Sequence, residues 1–314
     1  MNKKNYGTIP YYDFLSNQRQ VCIILILSII CIFFIALGTN KIAARQKHYN
    51  LYTEQTNNAS SFQQIPAVCG STTNLSACAT SMVLNAESGQ SNYLWSTGAT
   101  TPSITVNSSG TYWWETIDMA NNKVVNGNFT GGYNGTDFTS QYTYVATPAC
   151  HCGSVLGPEG YYSISTNPNF THTAFRDMGD HTTGTGNMMI VNGATTTAFI
   201  WKQTITVQPN TDYIFSVWFA SVTLTNPGKL DFSINGTALN APILLSSTSY
   251  NWQNFTARWT SGASTSAVIG ILNQNTVANG NDFALDDIVF APVCRNTFIV
   301  NLYNNPPKPS ISPL

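Results

Sequence analysis

Between residues 124 and 293 the chain carries many short runs of alternating character and no convincing amphipathic helix, and this restricts its fold more than any other feature. Ile200–Val207, Tyr213–Ala220, Lys229–Ile234, Trp252–Trp259 and Ala267–Leu272 repeat apolar residues in the short, turn-bounded pattern of β-strands. Asn235-Gly236 is a hairpin-type turn and Pro209-Asn210 a second break. Many antiparallel strands without helices predict a jelly roll. Upstream, from Ala67 to about Met119, the runs Ser81–Leu84, Tyr93–Trp95, Ser103–Val106 and Gly110–Glu115 are separated by turn-formers, the spacing of a small sandwich.

The last alternating run is unusual. Gly280–Phe290 holds Asp282, Asp286 and Asp287 in a chain in which only 9% of residues are charged. No Lys or Arg follows them before Arg295, so the carboxylates repel one another unless a cation intervenes. Ca²⁺, which takes oxygens from Asp side chains and carbonyls, is the expected structural cofactor. Asp286 is the first candidate ligand, followed by Asp180, Asp287 and Asp282. Asp180 lies in a Gly/Thr-rich loop whose carbonyls could complete an oxygen shell, or it caps that loop by local hydrogen bonds. The competing reading of the acidic run is a solvated turn.

Charge and export signals bound the partners. Lys and Arg total 13 against 14 Asp and Glu, and only seven basic residues follow His48, singly. No basic stripe exists to neutralise phosphates, so nucleic acid is excluded as a partner. An uncharged surface rich in Thr, Asn and Ser, with 12% aromatics, suits neutral, hydroxyl-rich ligands. After a leader (1–20), the apolar run 21–38 is long enough to anchor the chain in a membrane, or serves as a signal peptide. Residues 39–66 form a polar stalk, so the bulk of the chain is expected outside the cytoplasm, membrane-anchored or secreted.

Seven cysteines fit export. Cys22 and Cys31 fall in the apolar run. Cys69 and Cys78 bracket a short loop and are the natural pair, while Cys294 would close the second unit onto Cys150 or Cys152. Cys150-His151-Cys152 also admits a weak zinc reading.

For ligand contact the candidates are Trp201, Trp218 and Trp252, with Gln274 and Asn275 as polar partners, although most Trp in sandwiches are core. Gln203 and Trp259 are further options. No G-x-S-x-G, H-E-x-x-H or nucleotide-binding glycine loop occurs, and nothing marks Glu159 or Asp177 as a hydrolytic pair. A non-enzymatic protein is expected.

Two resemblances sharpen these expectations. The string from Leu94 to Val106, then Gly110-Thr111-Tyr112, resembles immunoglobulin-like modules of bacterial surface and gliding-associated proteins, which implies a spacer over residues 67–120. Val124-Val125-Asn126-Gly127-Asn128-Phe129, Gln203–Tyr213, Ser216-Val217-Trp218 and Phe283–Ile288 resemble CenC-like (family 4/9-type) carbohydrate-binding modules over 124–296, leaving 297–314 as a proline-rich tail. Thr130 stands where those modules often carry an acidic residue. Asp180–Met188 with Asp286-Asp287 and Cys294 resembles the MAM adhesion domain, another jelly roll. In both families the terminal acidic strand helps hold a cation. The implied fold is all-β: an immunoglobulin-like sandwich, then a galactose-binding-like jelly roll, after one N-terminal hydrophobic helix. The implied function is an exported bacterial surface protein binding neutral polysaccharide or cell-surface glycan. The alternatives are a protein-binding adhesin and, more weakly, a polysaccharide-degrading enzyme.

Overall fold

The computed structural model describes residues 69–90, 92–149 and 153–303, and the backbone of 60–61. All described residues belong to one compact unit within Asn57–Leu314. The apolar run 21–38 and its expected helix, with Cys22, Cys31, Cys150, His151 and Cys152, lie outside the described residues. Among the described residues no helix is long and apolar enough to cross a membrane.

The described chain is all-β. The first strands are β1 (Ser60–Ser61), β2 (Thr72–Ala77), β3 (Met82–Asn85), β4 (Leu94–Trp95), β5 (Ser103–Val106) and β6 (Gly110–Ile117). There follow β7 (Thr143–Tyr144), β8 (Tyr161–Ser165), β9 (Met188–Asn192), β10 (Ala198–Thr206), β11 (Asp212–Ser221) and β12 (Lys229–Ile234). The last are β13 (Thr237–Ala238), β14 (Ile243–Leu244), β15 (Gln253–Thr260), β16 (Ser266–Asn273) and β17 (Phe283–Leu302).

The larger sandwich is a jelly roll. One sheet runs β10-β16-β12-β13, with β14 also on β12, and the other runs β15-β11-β17-β9-β8-β7. From β10 to β12 successive long strands change sheet, and β15, β16 and β17 do the same. Their inward positions, among them Phe215, Val217, Phe219, Phe232, Ile269 and Phe290, close one apolar core. The opening segment docks on the closing one: Ile288 N–H donates to the Gly127 carbonyl at 2.9 Å. A side chain at Gly127 would run into the Ile288 carbonyl, so only glycine allows this approach.

The smaller sandwich faces β1-β3-β5 against β2, β6 and β4, but one of its strands comes from the far end of the chain. β17 is 20 residues long. Phe283–Pro292 pairs with β11, whereas Val293–Val300 pairs with β6 and Thr297–Leu302 runs parallel to β2. Phe298 and Val300 enter the small core beside Trp95 and Trp114. Residues 297–302 therefore belong to a strand, not to the expected tail, and the boundary at 296 falls inside β17. Residues 304–314 lie outside the described residues.

The same register corrects the cysteine pairing. Thr72 is opposite Thr297 in the parallel ladder, so Cys69 and Cys294, each three residues earlier, lie side by side. They form the disulfide, with Cα atoms 5.3 Å apart, replacing both the Cys69–Cys78 pair and a Cys294 bridge to Cys150 or Cys152. Cys78 sits past the other end of β2 and is free and exposed. Strand β2 itself holds Cys69 and Cys78 apart.

A buried carboxylate joins the two sandwiches. Glu115 on β6, 5% exposed, accepts from Arg258 of β15 at 2.9 Å and from Arg295 of β17 at 2.6 Å. Arg295 also lies over the Trp113 ring, 4.2 Å from its centroid.

Candidate functional site

The outer face of the β15-β11-β17 sheet carries a set of polar and aromatic side chains in register. Because Phe215, Val217 and Phe219 point inward, Ile214, Ser216 and Trp218 point outward. On edge strand β15 Arg258, Thr256 and Asn254 stand opposite them in register. Asn254 Nδ2 donates to Ser216 Oγ at 3.0 Å, and Thr256 Oγ1 donates to Asn254 Oδ1 at 2.6 Å. Asn254 and Thr256 are exposed, so this hydroxyl and amide strip faces solvent.

At one end the strip meets three rings. His181 stacks flat on Trp218 with ring centroids 3.7 Å apart, and Trp252 meets His181 edge-on at 5.9 Å. Trp252 Nε1 donates to the Gly179 carbonyl at 3.3 Å, which fixes that ring to the same loop. Of the aromatic residues expected to touch ligand, Trp218 and Trp252 are brought together here, one face of Trp218 being covered by His181.

β17 positions the acids beneath them. The apolar spacing along this strand breaks between Leu285 and Ile288, and a bulge supplies the extra residue: Ser216 is opposite Val289 while Trp218 is opposite Asp286. Asp287 takes φ 45°, a conformation Asp tolerates better than most residues. Both Asp286 and Asp287 thereby avoid the core that strict alternation would impose on one of them. Asp287 Oδ2 meets His181 Nδ1 at 2.7 Å and also accepts from Thr182 Oγ1. Asp286 accepts the backbone N–H groups of His181 and Asp287 at 2.9 and 2.8 Å. Asp180 holds its own loop, accepting from Gly186 N–H at 2.7 Å, Thr183 N–H at 3.0 Å and Thr183 Oγ1 at 3.0 Å.

The environments separate these acids. Burial would raise Asp180, but the amides of Gly186, Thr183 and Thr185 and the Thr183 hydroxyl hold it below the usual carboxylate range. Asp286 is pushed up to about 7, first by burial and then by the neighbouring charges of Asp287 and Asp180, against the two amides it accepts. Asp282 lies apart from this group. It accepts Gly193 N–H at 3.0 Å and is likewise pushed up to about 7, by burial and then by Glu159.

The expected Ca²⁺ ligands therefore divide: Asp286 and Asp287 of β17 meet the loop that holds Asp180, and Asp282 does not. Among the described residues no three His, Cys, Asp or Glu side chains are arranged to hold one ion. The Asp180 loop aims N–H and O–H donors at these carboxylates, where a Ca²⁺ cage requires oxygens. As arranged, the donor set suits hydrogen-bonded carboxylates and does not fit the ion.

Three other candidates are elsewhere. Trp201 is fully buried beside Phe138, because a register shift between Phe199 and Trp201 turns it inward; it is a core residue. Gln274 follows β16 in the other sheet and donates to Asp231 Oδ2 at 3.1 Å. Asn275 Nδ2 braces a loop through the carbonyls of Asn226 and Pro227. His181, Ser216, Asn254 and Thr256 take their place beside Trp218. The period-two pattern could have found Ser216, Asn254 and Thr256; His181 arrives through a loop and had no such signal.

The sequence matches no protein-family model and no curated protein. Among solved structures it is similar to the C-terminal domain of EclA, described as a sugar-binding protein, with TM-score 0.27, 19% identity, 29% of this chain covered and 66% of that one. It is also similar to a family 16 carbohydrate-binding module, with TM-score 0.33 and 17% identity over 54% of this chain and 99% of that one. The third is the CBM22-1 xylan-binding domain from Paenibacillus barcinonensis Xyn10C, with TM-score 0.29 and 15% identity over 44% of this chain and 90% of that one. Likeness at this level assigns no function.

Proposed function

We propose that the outer face of the β15-β11-β17 sheet binds neutral carbohydrate without turning it over, in a protein that works outside the cytoplasm. One observation carries the reading: the Trp218–His181–Trp252 rings adjoin a strip in which exposed Asn254 and Thr256 flank buried Ser216 and the charges are already paired. A sugar ring has an apolar C–H face and a rim of hydroxyls, so it asks for aromatic surface beside amide and hydroxyl partners. His181 is matched by Asp287, and Arg258 by Glu115 and Asp212, which leaves neither a strong anion nor a strong cation site. The Cys69–Cys294 disulfide supports an oxidising compartment. Screening the full-length chain against a glycan array is the test. Saturable binding to one class of neutral glycan, lost in Trp252→Ala and weakened at least tenfold in Asn254→Ala with unchanged melting, is the expected result. A blank array from folded protein sinks the reading.

A further inference from the structure

The polar strip does not end at the jelly roll. Four residues along β11 from Trp218, or about 13 Å at a strand's rise per residue, Ile214 lines a cleft of about 260 Å³ whose other wall is the small sandwich. Tyr93, Leu94 and Ile117 form that wall, while Thr256 and Arg258 belong to both the cleft and the strip. Leu94 is 38% exposed although it is a large apolar residue. The Tyr93 ring is held in place, since its hydroxyl donates to the Glu87 carbonyl at 2.9 Å and accepts Gln90 N–H at 3.2 Å. The charged groups at the cleft are spent on each other: Arg258 is 2.9 Å from Glu115 and 3.3 Å from Asp212. The cleft thus offers apolar walls and no unmatched charge. Its position is fixed because β17 runs continuously through both sandwiches.

We propose that strip and cleft form one composite groove, in which a linear neutral oligosaccharide lies along Asn254, Ser216 and Thr256 with its far end seated on the small sandwich against Tyr93 and Leu94. This rests on the carbohydrate reading above and deepens it: the ligand is a chain several sugars long, and both sandwiches recognise it. Neutrality follows from the paired charges, and length follows from the separation of about 13 Å between Trp218 and Ile214 along β11, which exceeds a single pyranose ring. The small sandwich then acts as the second half of the site, beyond any role as a spacer.

Calorimetric titration of the full-length chain with cello-, xylo-, manno- and galacto-oligosaccharides of increasing length tests this. One series should bind, and its longest member should bind at least tenfold more tightly than its disaccharide. Tyr93→Ala and Leu94→Ala should each erase most of that gain while changing disaccharide affinity less than twofold. Because Tyr93 also packs on Trp114, Leu94→Ala at its exposed position is the decisive variant, with an unchanged melt as control. A length gain that survives both variants, or no length gain in the wild type, overturns the composite groove while the strip stands. Absence of binding to every series overturns the groove together with the carbohydrate reading.

Discussion

The two sandwiches solve the same problem with very different means. Among the described residues, the jelly roll buries twenty-nine apolar residues in one core and the small sandwich eight. Two of those eight, Phe298 and Val300, come from the last strand of its neighbour. A core this small gains little from burial relative to the chain entropy it must overcome. It is completed by a borrowed strand, one disulfide and the Glu115 clamp. The comparison points to a one-way dependence, in which the smaller module relies on a strand that the larger one holds in place.

The most disruptive way to probe this dependence is to end the chain after Pro292. That removes the partner of β2 and β6, two core residues and Cys294, so the small sandwich should lose its protection from hydrogen exchange throughout while the jelly roll keeps its own. Equal protection in both modules after truncation would contradict one-way dependence. Next, Cys69→Ser should cost about 2–5 kcal/mol, since it releases a long loop in the unfolded chain. Denaturant midpoints in the oxidised wild type and the variant give the difference, and coincident curves would refute it. Glu115→Ala should cost about 1–3 kcal/mol, a range discounted because Arg258 and Arg295 are both more than a third exposed. Loss from the small sandwich alone would show that the clamp serves only that module.

The jelly roll has its own signature. Asp282 and Asp286 have folded pKa values raised to about 7, so the folded state holds protons that the unfolded state releases. Their contribution is fully present below about pH 4 and is lost as pH rises through about 7. Melting of the jelly roll should be a few degrees higher at pH 5 than at pH 8, and Asp286→Asn should flatten that slope. A profile that rises towards pH 8 would refute the assignment. The smallest effect is expected from chelator: EDTA should move the melt by less than about 1 °C, and a shift of several degrees would restore Ca²⁺ to the acidic loop.

Much of this architecture was legible from residue patterns. Lys229–Ile234 is β12 to the residue, and the other expected strands of the jelly roll match β10, β11, β15 and β16 within two residues at either end. Gly280–Phe290 read as one alternating run, and the bulge that sets Asp286 and Asp287 emerges only from the pairing with β11. Trp218 and Trp252, two of the Trp residues nominated for ligand contact, come together on one outer face, a placement that the sequence pattern left open. What could not be read depends on contacts without local signatures. The parallel pairing of β2 with β17 joins residues 225 apart, and with it come the disulfide and the strand nature of residues 297–302. Trp201 misled for a related reason, since a bulge in β10 reverses which face it occupies. His181 reaches Trp218 only once Asp180 has folded its loop.

The Cys69–Cys294 bond has a mechanical meaning as well. Tension applied between the two ends of the chain enters at Cys69, crosses the sulfur–sulfur bond and leaves from Cys294 along the end of β17. Everything from residue 70 to residue 293, including the whole jelly roll and its outer strip, lies in the slack branch of that circuit. The segment under load beyond the bond is residues 295–302, of which 297–302 pair in parallel with β2 and 295–300 antiparallel with β6. A pull from the ends therefore spares the jelly-roll strip for as long as that one covalent link is intact, and its load falls on the strand that holds the small-sandwich wall of the proposed groove.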